Sequence, residues 1–256
     1  MNTGAMLQGQ RILITGASSG LGDHFARLAA RCGAKVVIAA RRKARLEALA
    51  ADLPALGAQQ VTVIELDVSS EASVVSAFDT MAATGELPDV VINNAGIASE
   101  GLAMKQSIAS FDDVIATNLR GVWLVATEAA RRWKAAKRGG AIVNIASIQG
   151  ERVMAGVAAY SASKAAVIHL TKSLALEWAR FGIRVNGLMP GYIRTEMTEA
   201  AWDTPLGQEL IQRIPMQRLG KPEELDGALL LLATPASSWM TGSLIAVDGG
   251  HLVSGL

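Results

Sequence analysis

Short, almost continuously apolar segments alternate with helix-like segments along most of the chain, and no other feature constrains the fold as strongly. Strands are predicted at residues 11–15, 35–40, 61–66, 89–93, 141–146 and 183–188, with a seventh at 243–247 on one edge. Strands without polar alternation belong in a parallel sheet that is covered on both faces. The expected fold is therefore α/β, a single Rossmann-type doubly wound domain whose seven-stranded parallel sheet is flanked by helices on both faces.

The composition is that of a well-packed globular protein with little net charge. Half of the 256 residues are hydrophobic, and 24 basic residues nearly balance 23 acidic ones. This balance favours neither nucleic acid nor an anionic membrane as a partner, and no apolar segment is long enough to span a bilayer. The single cysteine, Cys32, suits a reducing compartment, so we expect a soluble cytoplasmic protein in which Cys32 is a small buried hydrophobe.

The domain organisation is predicted to be simple. Residues 1–8 are expected to form a flexible tail and residues 9–256 one domain, since no linker or repeat divides the chain. The segment 191–222 is rich in Pro, Gly and Thr and is predicted to be irregular, with a helix inside it. A loop of this length in a compact domain usually acts as a lid or a binding loop, and a passive insertion is the alternative.

A glycine-rich turn, TGASSGLG, follows the first strand directly. It places Gly16, Gly20 and Gly22 where a helix begins, with the spacing G-x3-G-x-G. These glycines permit a tight turn, a close approach of backbone to a pyrophosphate and close packing of helix on strand. Backbone N–H groups and the positive end of the helix then face the anion. The turn predicts a dinucleotide site, to which Ser18, Ser19 and Leu21 are also assigned.

The end of the second strand bears on the choice of dinucleotide. An acidic residue is expected there in an NAD(H) site, but the chain has Ala40 followed by Arg41 and Arg42. An arginine can bind a 2′-phosphate with two hydrogen bonds, so the sequence favours NADP(H), and NAD(H) is the alternative. Most of this argument rests on Arg41, because Arg42 could equally be a solvated residue in the first turn of the next helix.

The ends of two further strands are expected to face the dinucleotide site. Asp67 and Val68 follow the third strand, where Asp67 either caps the next helix or binds the edge of an adenine. Asn94, Ala95 and Gly96 follow the fourth strand, and the small residues there allow backbone to approach a ligand. Ligands of open α/β sheets lie beyond the carboxyl ends of the strands, so these segments are predicted to share one cleft.

The stretch YSASK places Tyr160 and Lys164 four residues apart. On a helix this spacing puts both side chains on one face, with Cβ atoms about 5–6 Å apart. Taken alone, the pair is as compatible with a solvated surface as with a functional site.

Six motifs together resemble the short-chain dehydrogenase/reductase family, in its compact single-domain branch. They are TGASSGLG, NNAG, ATNLRG, NIASIQG, YSASK and PGYIRT, and they occur in the order and at the spacings usual for that family. The resemblance covers the whole chain and is greatest to 3-oxoacyl-thioester reductases. It implies that the protein is an oxidoreductase that transfers a hydride between a nicotinamide cofactor and a ketone or secondary alcohol.

The resemblance also implies roles for individual residues. Tyr160 is similar to the general acid/base, Lys164 to its partner, Ser147 to the donor for the substrate carbonyl, and Asn118 to the residue that helps to hold a proton-relay water. Cofactor contacts are expected from Asn94 and the strand end that follows residue 188, and the residues assigned there are Pro190, Gly191, Ile193 and Thr195.

The expected chemistry depends on the pKa of the Tyr160 phenol. A free tyrosine titrates near pH 10 and is a poor base at neutral pH. The nearby Lys164 ammonium should favour the phenolate and lower this pKa, and a positively charged nicotinamide would add to the effect. Tyr160 would then donate or accept the proton while Ser147 stabilises the charge that develops on the substrate oxygen.

The substrate wall is predicted from the same segments. Apart from Ser147 and Tyr160, its expected residues are Ile148, Gln149, Met154, Met189, Tyr192, Met197 and Trp202. This lining is mostly apolar and has flexible methionines, so a hydrophobic or medium-sized ketone is favoured over a sugar.

Other assignments are kept open or set aside. An NAD-linked secondary alcohol dehydrogenase is the alternative within catalysis, and a dinucleotide-binding regulator without chemistry is the alternative outside it. No metal site is expected, because His24, His169 and His251 match no ligand spacing.

The resemblance also bears on partners. Phe181 lies where reductases that dock an acyl carrier protein often have a basic residue, which argues against such a partner. The resemblance implies a homotetramer, in which the segments 111–137 and 158–181 pair across an interface that Ala165, Ala166 and Leu174 would let close tightly.

Overall fold

The computed structural model describes residues 5–195 and 199–254, with the side chains of residues 200 and 201 excepted. Met197, which was predicted to line the substrate site, lies outside the described residues.

The strands form one parallel sheet. Their bounds are β1 Arg11–Thr15, β2 Lys35–Ala40, β3 Gln60–Glu65, β4 Val90–Asn93, β5 Gly140–Ile145, β6 Ile183–Pro190 and β7 Leu244–Val247. In the described part of the chain these seven strands lie in the order β3-β2-β1-β4-β5-β6-β7, and every pair is parallel. The predicted seven-stranded Rossmann-type sheet is confirmed.

Helices cover both faces of the sheet. They are α1 Gly20–Arg31, α2 Lys43–Leu56, α3 Glu71–Ala83, α4 Ile108–Ile115, α5 Gly121–Ala135, α6 Ala158–Trp178, α7 Glu199–Trp202, α8 Pro205–Gln212 and α9 Asp226–Ala233. Alternate residues of β1 point to opposite faces: Ile12 and Ile14 join one apolar core, and Leu13 joins the other. None of the described helices is long and apolar enough to cross a membrane.

Each core has its own set of helices. Phe25 of α1, Leu46 of α2 and Leu229 of α9 pack in the first core. The second core contains Phe78 of α3 and Trp133 of α5. Both faces of every central strand are thereby removed from water, which explains why the strands lack polar alternation.

The segment predicted to be a flexible tail is partly built into the fold. Leu7 is only 3% exposed and packs in the first core, and its backbone N–H donates to the Cys32 carbonyl at 3.1 Å. Burial of one leucine and one backbone hydrogen bond offset the cost of ordering this short turn. Cys32 is fully buried, as predicted.

The region 191–222 is more regular than predicted. It contains α7 and α8, and Trp202, Ile211, Ile214 and Leu219 form a small apolar cluster of their own against Tyr192. The described part of this region is therefore a small helical unit with its own apolar cluster, and it begins at the carboxyl end of β6.

The strand order reverses between β1 and β4, which are neighbours in the sheet. This arrangement opens a crevice beyond the carboxyl ends of the central strands, where doubly wound proteins bind their ligands. Four of the motifs singled out from the sequence, TGASSGLG, NNAG, NIASIQG and PGYIRT, lie at the carboxyl ends of strands, whereas ATNLRG and YSASK are helical.

Candidate active site

The glycine turn has the geometry of an anion cradle. Gly16 and Gly20 adopt positive φ angles of 68° and 58°, which an L side chain rarely adopts. A Cβ on Gly16 would lie 2.7 Å from the Cα of Ala95, and a Cβ on Gly22 would overlap the Gly16 carbonyl oxygen. The first turn of α1 can therefore lie directly on the loop with its N–H groups toward the crevice, as a dinucleotide pyrophosphate requires. The residues present fit that cofactor.

Arg42 is held over this loop. Its guanidinium donates to Ser18 Oγ at 2.8 and 3.1 Å and to Ser19 Oγ at 2.7 Å. Arg41 is exposed and lies close enough to Asp67 for its charge to contribute to a lowered pKa of that carboxyl. Both arginines thus lie at the crevice, and Arg42, which the sequence argument treated as the weaker candidate, has the more defined position.

Asp67 does not cap the next helix. Its Oδ1 accepts from the backbone N–H and the hydroxyl of Ser69 at 3.0 and 2.7 Å, and these bonds are the main reason that its pKa lies below the ordinary value. The N-cap of α3 is Ser70, whose side chain accepts from the Ser73 N–H. Capping by Asp67 was thus the wrong alternative. Val68 is buried in the second core against Gly121, so only its backbone can reach the crevice.

Asn94 ties the ends of β1 and β4 together. Its side-chain amide donates to the carbonyls of Thr15 and Gly16 at 3.0 and 3.4 Å, and Thr15 Oγ1 accepts from the backbone N–H groups of Asn94 and Ala95. Sequence reasoning missed Thr15, although its position as the last residue of β1 was a usable signal. Asn94 therefore shapes the glycine loop through its side chain.

The strand end at β6 also lies at the crevice. The Gly191 N–H donates to the Val247 carbonyl at 2.9 Å, and a Cβ on Gly191 would lie 2.6 Å from the Cα of Asp248. Pro190 and Ile193 are buried, and Thr195 is half-buried. These residues place backbone, more than side chains, beside the predicted nicotinamide position.

Tyr160 and Ser147 meet in the crevice. Ser147 directly follows β5, and Tyr160 lies in the first turn of α6. The Ser147 hydroxyl lies close enough to the phenol to oppose the rise of its pKa, and Ser147 Oγ accepts from the Gln149 N–H at 3.1 Å. A carbonyl oxygen placed between the two side chains would meet both hydroxyls.

Lys164 lies below Tyr160 on the same face of α6. Its Nζ is 5.6 Å from the centre of the Tyr160 ring and donates to the Ile145 carbonyl at 2.7 Å. The side chain is 4% exposed, and burial lowers the pKa of Lys164 to about 8. The group is therefore largely an ammonium at neutral pH, yet its proton is far more labile than that of an exposed lysine.

The pKa of Tyr160 departs from the prediction. Burial raises the pKa of the phenol above its ordinary value, and the hydrogen bond with Ser147 offsets this only in part. In the protein without a cofactor, the prediction of a lowered pKa was wrong. It counted the charge of Lys164 and neglected the cost of burying the phenolate and the ammonium.

Asn118 lies in a π-helical turn, Ala116–Arg120, that joins α4 to α5. Its Oδ1 accepts from the Ile97 N–H at 2.8 Å, and its Nδ2 donates to the Ile97 carbonyl and to Ser163 Oγ at 2.9 and 3.1 Å. The side chain is thus fully engaged in holding the segment after β4 against α6. Widened turns of this kind are frequent at functional sites because they free a backbone carbonyl. Ser163, which lies within YSASK, was missed by sequence reasoning.

Gly96 completes this part of the site. A Cβ at this position would lie 3.4 Å from Asn118 Oδ1 and 3.7 Å from Lys164 Nζ. Asn118, Lys164 and the segment after β4 therefore converge.

The substrate wall carries more polar groups than the sequence predicted. The Gln149 amide donates to the Tyr192 hydroxyl at 3.1 Å, and that hydroxyl lies 3.4 Å from the Met154 sulfur. The Tyr192 ring packs against the Trp202 ring with 4.9 Å between centroids. Gln149, Met154, Tyr192 and Trp202 are thus brought together. Met189 instead packs in a core with Val122, Ala146, Val167 and Ile168 and is not part of the wall.

His251 and Arg152 also belong to this wall, and sequence reasoning did not place them there. The His251 ring meets the Tyr192 ring edge to face at a centroid distance of 4.9 Å. Burial, followed by the charges of Arg152 and Arg213, lowers the pKa of His251, so this imidazole is neutral at pH 7. Within the described ranges no group of three His, Cys, Asp or Glu side chains is placed to hold a metal ion. His24 instead pairs with Asp226 at 2.6 Å.

Phe181, the residue considered for carrier docking, precedes β6 at the end of the sheet opposite the crevice, and Arg138 precedes β5 at the same end. Arg138 pairs with Asp89 at 3.1 Å and also donates to the Pro88 carbonyl. Lys134 and Arg180 each lie 4.8 Å from the centre of the Phe181 ring. The aromatic side chain at this position is therefore flanked by two cations.

Comparison with known proteins agrees with this geometry. A family model described as enoyl-(acyl carrier protein) reductase matches residues 16–251. The gluconate 5-dehydrogenase of Gluconobacter oxydans is 39% identical over 97% of this chain and 96% of that protein. A 3-oxoacyl-(acyl-carrier-protein) reductase of Aquifex aeolicus is 35% identical over 95% of this chain and 98% of its own length.

A solved structure extends the comparison. The gluconate 5-dehydrogenase of Burkholderia cenocepacia, in complex with NADP and tartrate, superposes with a TM-score of 0.93. The two chains are 35% identical, and the match covers 100% of each.

Proposed function

The chain belongs to the short-chain dehydrogenase/reductase family and is an oxidoreductase, and on this premise we propose that it transfers a hydride between NADP(H) and a ketone or secondary alcohol. NADP(H), when bound, supplies or accepts the hydride. The chain itself holds the cofactor, orients the carbonyl and moves the proton.

The proton chemistry is assigned to Tyr160. In reduction its hydroxyl donates to the carbonyl oxygen, and in oxidation the phenolate accepts the proton of the alcohol. Ser147 donates a second hydrogen bond to the oxygen on which charge develops. Lys164, held by the Ile145 carbonyl, places positive charge beside the phenol and favours its ionisation. Asn118 positions these groups by holding the segment after β4 against α6.

The cofactor preference is assigned to Arg42 together with Arg41. Arg42 is fixed over the glycine loop by Ser18 and Ser19, so its guanidinium needs little further ordering to meet a 2′-phosphate. The NADP in the complex of the Burkholderia cenocepacia relative supports this preference. An NAD-linked dehydrogenase is the alternative.

The observation that carries the proposal is the convergence of the Tyr160 ring, the Ser147 hydroxyl and the buried Lys164 ammonium, whose Nζ lies 5.6 Å from the ring centre one helical turn away. A panel of ketones with NADPH or NADH that carries deuterium at the transferable position tests it. We expect deuterium on the carbinol carbon of the product and faster turnover with NADPH. Binding of NADPH without deuterium transfer to any ketone would reject the proposal, and faster turnover with NADH would reject its cofactor assignment.

We also propose a homotetramer. Phe111 and Trp123 on α4 and α5, and Leu176 on α6, are exposed, and they lie on the helices expected at the interface. Leu174, which was predicted to help these helices approach, is instead buried within its own chain. Sedimentation velocity should give a tetramer that Trp123→Asp dissociates. A monomeric parent protein would contradict the assembly without affecting the catalytic proposal.

A further inference from the structure

Two buried polar atoms on the substrate wall have no hydrogen-bond partner. They are Nε1 of Trp202 and Nδ1 of His251. These residues are 9% and 3% exposed, and both rings pack against Tyr192. A buried polar atom that is left unpaired costs about 1–3 kcal/mol, so such atoms usually mark a place where a ligand or water completes the hydrogen bond.

The same wall contains a cationic side chain, Arg152, whose hydrogen-bond acceptors in the described part of the chain include no carboxylate. Arg152 is half-buried, and its Nη1 donates to the carbonyls of His251 and Ser254 and to the Ser254 hydroxyl at 2.6 to 3.2 Å. The acceptors found for Arg152 among residues 5–195 and 199–254 are thus neutral oxygens, whereas Arg213 pairs with Glu209 at 2.6 Å. The carboxylate of Asp248 is occupied by the N–H groups of Gly250 and Leu252.

The wall is connected to the reacting groups by a continuous series of contacts. Ser147 lies beside the Tyr160 phenol, its Oγ accepts from the Gln149 N–H, and the Gln149 side-chain amide donates to the Tyr192 hydroxyl. Tyr192 in turn contacts Trp202 and His251, and the positive charge of Arg152 acts on both Tyr192 and His251. A substrate held at Tyr160 by its carbonyl would therefore extend toward two unpaired nitrogens and a guanidinium.

The donor set defines the chemistry of that substrate. The indole N–H can only donate, so Trp202 needs an oxygen acceptor. Nδ1 of a neutral His251 donates or accepts according to its tautomer, and a hydroxyl satisfies either state. A guanidinium without a carboxylate partner favours a carboxylate, to which it can donate two parallel hydrogen bonds.

We propose that Trp202, His251 and Arg152 form the specificity end of the active site and select a polyhydroxy acid, with the carboxylate at Arg152 and hydroxyls at His251 and Trp202. This inference rests on the proposed function and narrows its substrate class. It replaces the hydrophobic ketone that the apolar residues of the wall suggested from sequence.

Binding of two matched ligands to the complex of enzyme and NADPH, in which an alcohol cannot be oxidised, tests the inference by calorimetry. The ligands are gluconate and D-sorbitol, six-carbon polyols that differ by one terminal carboxylate. Gluconate should bind about tenfold or more tightly than sorbitol, and Arg152→Gln should remove that preference. Arg152→Lys should retain part of it, and Arg31→Gln, the same charge change at an exposed site on α1, should leave it intact.

Trp202→Phe keeps an aromatic ring against Tyr192 but deletes the N–H. It should weaken the binding of gluconate and of sorbitol by similar factors, because it removes a contact to a hydroxyl that both ligands have. Equal affinity of the parent protein for both ligands, no binding of either, or an equal loss of both in Arg152→Gln would overturn the inference. In each of these cases, deuterium transfer from NADPH to an uncharged ketone would still support the proposed function.

Discussion

The Lys164 ammonium lies 5.6 Å from the centre of the Tyr160 ring and donates to the Ile145 carbonyl at 2.7 Å. Both residues lie on one face of α6, where Lys164 is buried and Tyr160 is half-buried. Burial moves the two pKa values apart, raising that of Tyr160 above its ordinary value and lowering that of Lys164 to about 8. The pair therefore couples a weakly acidic phenol to an unusually labile ammonium.

The raised pKa of Tyr160 can be measured directly, because Tyr160 and Tyr192 are the only two tyrosines. In Tyr192→Phe, tyrosinate absorbance reports Tyr160 alone. We expect it to titrate above pH 10, the ordinary value of a phenol, and to shift downward when NADP⁺ brings a positive ring beside it. Ketone reduction, which uses the protonated phenol, should then decline only at high pH, and alcohol oxidation should rise with pH. Titration at or below pH 10 without NADP⁺ would contradict the account.

Lys164→Met should stabilise the fold while it impairs turnover. A lysine whose folded pKa lies below its unfolded pKa binds fewer protons when folded, so its cost is complete below about pH 8 and vanishes toward pH 10.5. We expect the free energy of unfolding in urea to rise by about 1–2 kcal/mol at pH 7 and the difference to shrink at pH 10.

Lys172→Met, at an exposed site on the same helix, is the matched control and should change little at either pH. A variant Lys164→Met that is less stable than the parent protein at pH 7 would show that the buried ammonium is stabilising.

Arg42→Ala should discriminate between the two cofactors. Loss of a guanidinium that binds a 2′-phosphate should raise the KM for NADPH about 10- to 100-fold and leave the KM for NADH nearly unchanged. Arg45→Ala, at an exposed position one turn further along, should alter neither KM. Equal effects of Arg42→Ala on both cofactors would mean that Arg42 only supports the glycine loop through Ser18 and Ser19.

Two glycine-to-alanine changes in helices should have opposite effects. At Gly22 a Cβ would overlap the Gly16 carbonyl, so we expect a loss of about 1–3 kcal/mol of stability and weaker NADPH binding. At Gly227 in α9 nothing lies within 4 Å of the added atom, so we expect a gain of about 0.5–1 kcal/mol. Thermal unfolding with and without NADPH measures both, and a stable Gly22→Ala protein that binds NADPH normally would contradict the close packing at the loop.

Local pattern and spacing predict the sheet and the glycine loop, and the family resemblance implies the role of the Tyr160–Lys164 pair. Features that depend on contacts between distant segments are predicted by neither. Leu7 is held by a backbone hydrogen bond to Cys32, and His251 by a hydrogen bond from Arg152 to its carbonyl. Whether the pKa of Tyr160 rises or falls depends on how much water the fold excludes from the phenol. The N-cap of α3 is Ser70 and not Asp67, and the sequence does not discriminate between them because both residue types are favourable caps.

The most direct test of the central claim is a comparison of Tyr160→Phe with Tyr192→Phe, which remove the same hydroxyl from the only two tyrosines. The measurement is kcat for ketone reduction with saturating NADPH, alongside NADPH affinity. Tyr160→Phe should lose about 10²- to 10⁴-fold in kcat while still binding NADPH. Tyr192→Phe should change mainly the KM for the ketone. Unchanged kcat in Tyr160→Phe, or an equal loss in both variants, would contradict the assignment of proton transfer to Tyr160.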